Sequence, residues 1–140
     1  MQLTQFTDYS FRILIYLSTQ HGKLCTINEI TELHNVSKQH MIKVAHNLVK
    51  LGYVKGIQGR NGGIKLNMQL QEINIGKLIR QTEPNFDLVE CFNKSHNQCK
   101  ITNSCQLKHA LYHAKNAFLN VLDQYTLADF ARTPIAKNIQ

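Results

Sequence analysis

SKQHMIKVAHNLVKLGYVKGIQGRNGGIKL, running from Ser37 to Leu66, decides the fold of this 140-residue chain. In its first half Met41, Ile42, Val44, Ala45, Leu48, Val49 and Leu51 recur at helical spacing. Ser37 is placed to cap that helix and Gly52 to stop it. The second half reads as two short strands, Tyr53 to Ile57 and Ile64 to Leu66, around Gly59-Arg60-Asn61-Gly62-Gly63. Asn-Gly between two such runs is a strong hairpin signal.

Upstream, Thr26 and Glu29 stand at capping-box spacing before Ile27, Ile30 and Leu33. His34-Asn35-Val36-Ser37 then makes a tight turn into the longer helix. Before that, Thr7-Asp8-Tyr9 offers N-cap chemistry for a helix through Phe11, Leu14, Ile15 and Leu17, ending near His21-Gly22. Two short helices, a tight turn and a glycine-tipped hairpin follow the order of a winged helix-turn-helix. Its second helix is the one expected in the major groove.

Downstream, Asn74 starts a short helix through Ile75, Leu78 and Ile79 that ends before Pro84. Residues 85–104 lack periodicity and read as a loop. The longest helix is expected from Cys105 to about Tyr125. There Leu107, Leu111, Ala114, Phe118, Val121 and Tyr125 alternate spacings of four and three, which is a heptad seam. A chain this small cannot bury such a helix on several sides, so a homodimer seam is expected. Thr126 and Asp129 cap a terminal turn, and Arg132 to Gln140 reads as a tail. The expected class is mainly α with a small β-wing: a winged helix-turn-helix plus a long C-terminal dimerisation helix. The division is a DNA-binding domain over 1–82, a cysteine-rich cluster-binding loop over 83–104, and a dimerisation helix and tail over 105–140.

The formal net charge is +7. From Val36 to Leu66 the charged residues are Lys38, Lys43, Lys50, Lys55, Arg60 and Lys65, with no Asp or Glu. A one-sign segment of this kind displaces counterions from phosphates and suits double-stranded DNA. The expected contacts are Ser37, Lys38, Gln39, His40 and Lys43 at the start of the reading helix, with Arg60, Asn61 and Gly62 at the wing tip. Arg60 suits the strongly negative minor groove. Gln58, Lys55 and Lys65 are at most phosphate contacts.

Cys91, Cys99 and Cys105 have the spacing C-x7-C-x5-C, unlike the short C-x2-C knuckle of structural zinc sites. Three irregularly spaced thiolates suit an iron–sulfur cluster, with one metal position left for another ligand. Asp8, Glu90, His96 and His109 are the candidates for it. A zinc site of three cysteines with His96 or His109 fits the same spacing. Cys25 stands apart and is expected to be a buried small residue. No apolar run approaches the roughly 18 residues of a membrane helix, and no secretory signal is visible. A cytoplasmic location is therefore expected. No Ser/His/Asp grouping, P-loop or His-Glu-x-x-His occurs, and His34, His46 and His113 read as ordinary helix residues. Catalysis is not expected.

These residues resemble the NsrR-type nitric-oxide-sensing repressors, within a wider family of winged-helix regulators that includes the iron–sulfur cluster regulator IscR. The resemblance runs through Leu3-Thr4-Gln5-Phe6-Thr7-Asp8-Tyr9, Val36 to Val44 and the wing Gly59-Arg60-Asn61-Gly62-Gly63-Ile64. It continues through Cys99-Lys100-Ile101-Thr102, Cys105-Gln106-Leu107-Lys108 and Tyr125-Thr126-Leu127-Ala128-Asp129. It implies a homodimer on a palindromic operator, with one iron–sulfur cluster, [2Fe-2S] or [4Fe-4S], per protomer. Cys91, Cys99 and Cys105 match three ligands, and Asp8 of the partner subunit matches the fourth. Nitrosylation of the cluster by nitric oxide would weaken DNA binding and release genes of nitrosative-stress defence. The sequence departs from IscR-like ligation in having Lys108 where those proteins place a histidine, with His109 one residue further on. Sensing of iron, redox state or cluster supply, or a zinc-stabilised DNA-binding regulator, are the alternatives.

Overall fold

Thr4, rather than Thr7, opens the first helix. Its side chain accepts the Thr7 N–H at 3.3 Å, and α1 runs over Gln5–Ser18. The expected start at Thr7-Asp8 is corrected because Thr7 is fully buried and donates its hydroxyl to Thr82 at 3.0 Å. A turn follows through Gly22 in a computed structural model that describes residues 2–131. The expected tail from Arg132 to Gln140 lies outside the described residues.

Helix α2 (Ile27–His34) begins with the expected capping box, with Thr26 N–H on Glu29 Oε2 at 2.6 Å and Glu29 N–H on Thr26 Oγ1 at 3.2 Å. Asn35 takes a left-handed conformation (φ 48°) to turn the chain into α3 (Lys38–Lys50). Ser37 holds the N-cap position of α3, but its hydroxyl makes no capping bond. Gly52, at φ 84°, takes the chain out of that helix. Strands β1 (Val54–Ile57) and β2 (Gly63–Leu66) then pair antiparallel, Val54 opposite Leu66 and Ile57 opposite Gly63. Cys25 ties the hairpin to the helices by exchanging backbone hydrogen bonds with Ile64 at 2.9 and 2.7 Å. A Cβ on Gly63 would lie 2.5 Å from the Cys25 carbonyl oxygen, so that approach needs glycine.

The main core gathers Ile13, Leu14 and Leu17 of α1, Ile30 of α2 and Met41, Val44, Ala45 and Leu48 of α3, with Tyr53, Val54 and Ile64 of the hairpin. Cys25 is buried within it, as expected. Two apolar residues of α3 depart from expectation, because Ile42 and Val49 are exposed. The buried stripe is complete without them.

Helix α4 (Ile75–Thr82) is capped by Asn74, whose Oδ1 accepts the Lys77 N–H at 2.8 Å. Helix α5 (Gln106–Leu122) ends before Tyr125, shorter than expected. It docks on α4 through Leu119, Phe118 and Leu122 against Ile75 and Ile79. Arg80 clasps Asp123 with two bonds of 2.5 and 2.8 Å beside that contact. Beyond α5, Thr126 and Asp129 form the expected cap of a 3-10 turn, Leu127–Asp129. Leu127 is buried in the main core and donates its N–H to the Ile73 carbonyl at 2.9 Å. The architecture is mainly α with a small β-wing, as the sequence indicates.

Candidate nucleic-acid interface and metal centre

The buried stripe of α3 forces its other face outward, and Ser37, Lys38, Gln39, His40 and Lys43 are all exposed there. His46, Asn47 and Lys50 continue this surface and line an open cleft of about 480 Å³ with Lys43 and Val49. His46 reads from sequence as an ordinary helix residue. Its i+3 offset from Lys43 was the signal that it shares the polar face.

At the wing tip Arg60 and Asn61 are exposed and Gly62 is half-buried. Gly59 takes φ 113° and accepts the Gly62 N–H at 2.9 Å. A Cβ on Gly62 would clash with the carbonyl oxygens of Ile57 and Gly59, so the tip stays tight and stripped of side chains around Arg60. Lys55 and Lys65 stand directly opposite each other on the ladder. Like charges so placed repel. A phosphate beside them turns that repulsion into attraction.

The first turns of α1 and α3 share a cavity of about 330 Å³, lined by Thr4, Gln5, Phe6, Tyr9, His40, Lys43 and Val44. Asp8 lies in the first turn of α1 and pairs with Arg12 at 2.8 Å. Both side chains are nearly half exposed, and such a pair is readily given up. At its start α1 is also fastened to the far end of α4. Glu83 Oε1 accepts both the Thr4 N–H (2.8 Å) and the Thr4 hydroxyl (3.0 Å), next to the Thr7–Thr82 bond. Glu83 is the residue from which the cysteine segment departs, and no sequence pattern announces its role.

That segment is held by its own polar groups. Glu90 accepts the Gln98 N–H, joining the residue before Cys91 to the residue before Cys99. Asn97 Oδ1 accepts the Cys99 N–H at 3.0 Å, and Thr102 donates its hydroxyl to the Cys99 carbonyl at 2.7 Å. Cys105 stands at the N-cap of α5, its thiol accepting the Lys108 N–H at 3.4 Å. Cys91, Cys99 and Cys105 are free and half-buried, whereas Cys25 is buried.

Among the described residues no three His, Cys, Asp or Glu side chains converge on one metal position. Three free, accessible thiols in one segment nevertheless fit the chemistry of an iron–sulfur group. Cys91 and His109 share a cavity of about 370 Å³ with Asp87, Phe92, Lys94, Lys108, Tyr112 and Lys115. Asp8 does not line it, and His96 lies exposed outside it. The Lys115 ammonium sits 5.0 Å from the Phe92 ring centre and 4.7 Å from that of Tyr112. The cations around Cys91 favour a negatively charged thiolate-bound group.

A helix-turn-helix with a basic wing, joined through a thiol-bearing segment to a long striped helix, defines a winged-helix regulator. The chain belongs to the Rrf2 family, described as iron-dependent transcriptional regulators, whose pattern matches residues 3–133. It is 52% identical over 130 residues to the HTH-type transcriptional regulator NsrR of Bacillus licheniformis, spanning 92% of this chain and 91% of that one. It is 48% identical over 133 residues to NsrR of Bacillus subtilis, spanning 94% and 91%. Its fold superposes on the structure of CymR, the global cysteine regulator of B. subtilis, with a TM-score of 0.76. That pair is 25% identical, over 96% of this chain and 98% of the other. Among the described residues no helix is long and apolar enough to cross a membrane.

Proposed function

We propose that the chain is a nitric-oxide-responsive transcriptional repressor. It binds operator DNA as a homodimer and loses DNA affinity when its iron–sulfur cluster, [2Fe-2S] or [4Fe-4S], is nitrosylated. The observation that supports this most is the set of three free, half-buried thiols immediately ahead of α5, in a chain so similar to regulators named NsrR. In this reading residues 1–82 read DNA, 83–104 hold the cluster and 105–140 dimerise. Cys91, Cys99 and Cys105 are its ligands, and Asp8 of the partner subunit completes the set. When bound, the cluster supplies iron that nitric oxide attacks.

The chain's own residues do the rest. Lys38, Lys43 and Arg60 hold phosphates, Gln39 and His40 reach base edges, and Ser37, Asn61 and Gly62 approach the backbone closely. The Thr4–Glu83 and Thr7–Thr82 bonds fasten the foot of the cysteine segment to α1, which packs on α3. A shift of that segment therefore reaches the reading helix, and half-site spacing tolerates little rotation. The test is anaerobic purification, then nitric-oxide titration while visible absorption and operator binding are recorded together. A brown protein that bleaches as it leaves DNA supports the reading. A colourless protein that stays bound after reconstitution with iron and sulfide overturns it. The family's description as iron-dependent favours a second reading, in which iron supply is the signal. Release by iron chelation but not by nitric oxide would select it.

A further inference from the structure

Ile42 is out of place by its chemistry. It is 45% exposed and belongs to neither apolar cluster of the molecule. It stands three residues after Gln39 and four before His46, so all three share one face of α3. The other exposed aliphatic of this helix, Val49, has a neighbour, since its methyl lies 3.8 Å from the Cβ position of Gly56 in the wing. Ile42 lies on the exposed polar face instead. Its surroundings are Lys38, Gln39, Lys43 and His46, within a stretch from Val36 to Leu66 free of carboxylates. A polyanion that also offers something apolar to Ile42 is the partner this face suits. Double-stranded DNA satisfies both demands, because the thymine 5-methyl is the apolar group that the major groove displays.

We propose that Ile42 reads a thymine methyl in each operator half-site, a specificity contact between the polar contacts of Gln39 and His46. The proposal rests on the DNA-binding reading of α3. Full-length protein, reconstituted anaerobically, is used to select duplexes from a random pool. Each thymine of the selected site is then replaced by deoxyuridine, which lacks only that methyl. Wild-type affinity should fall about four-fold at one thymine per half-site, the factor expected for burial of a single methyl. Ile42→Ala leaves the core intact and keeps a good helix former. It should lose a similar factor per half-site on the thymine duplex, and nothing more on a duplex with deoxyuridine at that position in both half-sites. Identical thymine-to-deoxyuridine profiles for the two proteins overturn the proposal. So does an altered sedimentation coefficient for Ile42→Ala with its profile intact, which would assign Ile42 to a protein contact. A chain that selects no duplex at all defeats the DNA-binding reading itself, and the proposal with it.

Discussion

Cys25 and the three thiols beyond α4 differ in surroundings, and the difference is measurable. Burial pushes the Cys25 thiol up, and Glu29 adds to the shift. Little thiolate is available there, and thiolate is the species that alkylates and binds metal. Brief treatment of metal-free protein with iodoacetamide should label Cys91, Cys99 and Cys105 before Cys25, as read by peptide mass spectrometry. Early labelling of Cys25 would contradict its burial. Cys91→Ser, Cys99→Ser and Cys105→Ser should each abolish stable iron incorporation. Cys25→Ala should keep the iron and cost about 1 kcal/mol of stability from lost core volume. At the wing, Arg60→Ala should weaken binding to all duplexes alike. It should also lower the slope of log affinity against log salt by about one per protomer.

At the scale of elements, the joint between α1 and α4 is the place where, under the proposed function, the cysteine segment would act on the reading head. Glu83→Ala removes both bonds to Thr4 and should lower stability by about 1–2 kcal/mol, read by urea unfolding. Glu83→Gln, which keeps an acceptor, should recover part of it. Full stability in Glu83→Ala would remove this joint from the mechanism. Helix α5 divides its apolar residues, with Leu119 docked on α4 and Leu107 and Val121 exposed at 65% and 51%. Leu107→Lys with Val121→Lys should therefore convert a dimer to a monomer by light scattering, with helical content unchanged. The elements themselves were legible because caps and periodicity are local: Thr26 with Glu29, Asn74, Gly52 and the Asn61-Gly62 turn all stand where their chemistry indicates. Boundaries set by distant partners were not. Thr7 is a good cap by type, but its hydroxyl is taken by Thr82, 75 positions away. Ile42 fits the helical period as well as Met41 does, and only the packed core separates them. Spacing likewise placed the cysteines in one segment without indicating how their side chains lie.

On the scale of the whole molecule, charge and burial meet at His34, which closes α2 just before the turn into the reading helix. Its Nε2 is buried with no hydrogen-bond partner among the described residues. Burial and then the nearby Arg12 guanidinium lower its pKa from 6.5, with Asp8 opposing them. Because the folded state resists protonation here, the unfolded chain binds more protons between the lowered value and 6.5. Stability from this residue is therefore present above pH 6.5 and is lost as pH falls through 6.5 toward the folded value. Thermal unfolding of metal-free protein should shift to lower temperature between about pH 7.5 and pH 5.5. His34→Gln, which cannot take up the proton, should flatten that part of the profile. Arg12→Gln should raise the His34 pKa toward 6.5 and so shrink the loss of stability and end it at higher pH, since a guanidinium no longer opposes the charge. A larger acid loss in Arg12→Gln, or a profile that keeps its slope in His34→Gln, would place the acid sensitivity elsewhere. The same turn sets the angle between α2 and α3, so DNA affinity should decline over the same pH range in the wild type and less steeply in His34→Gln.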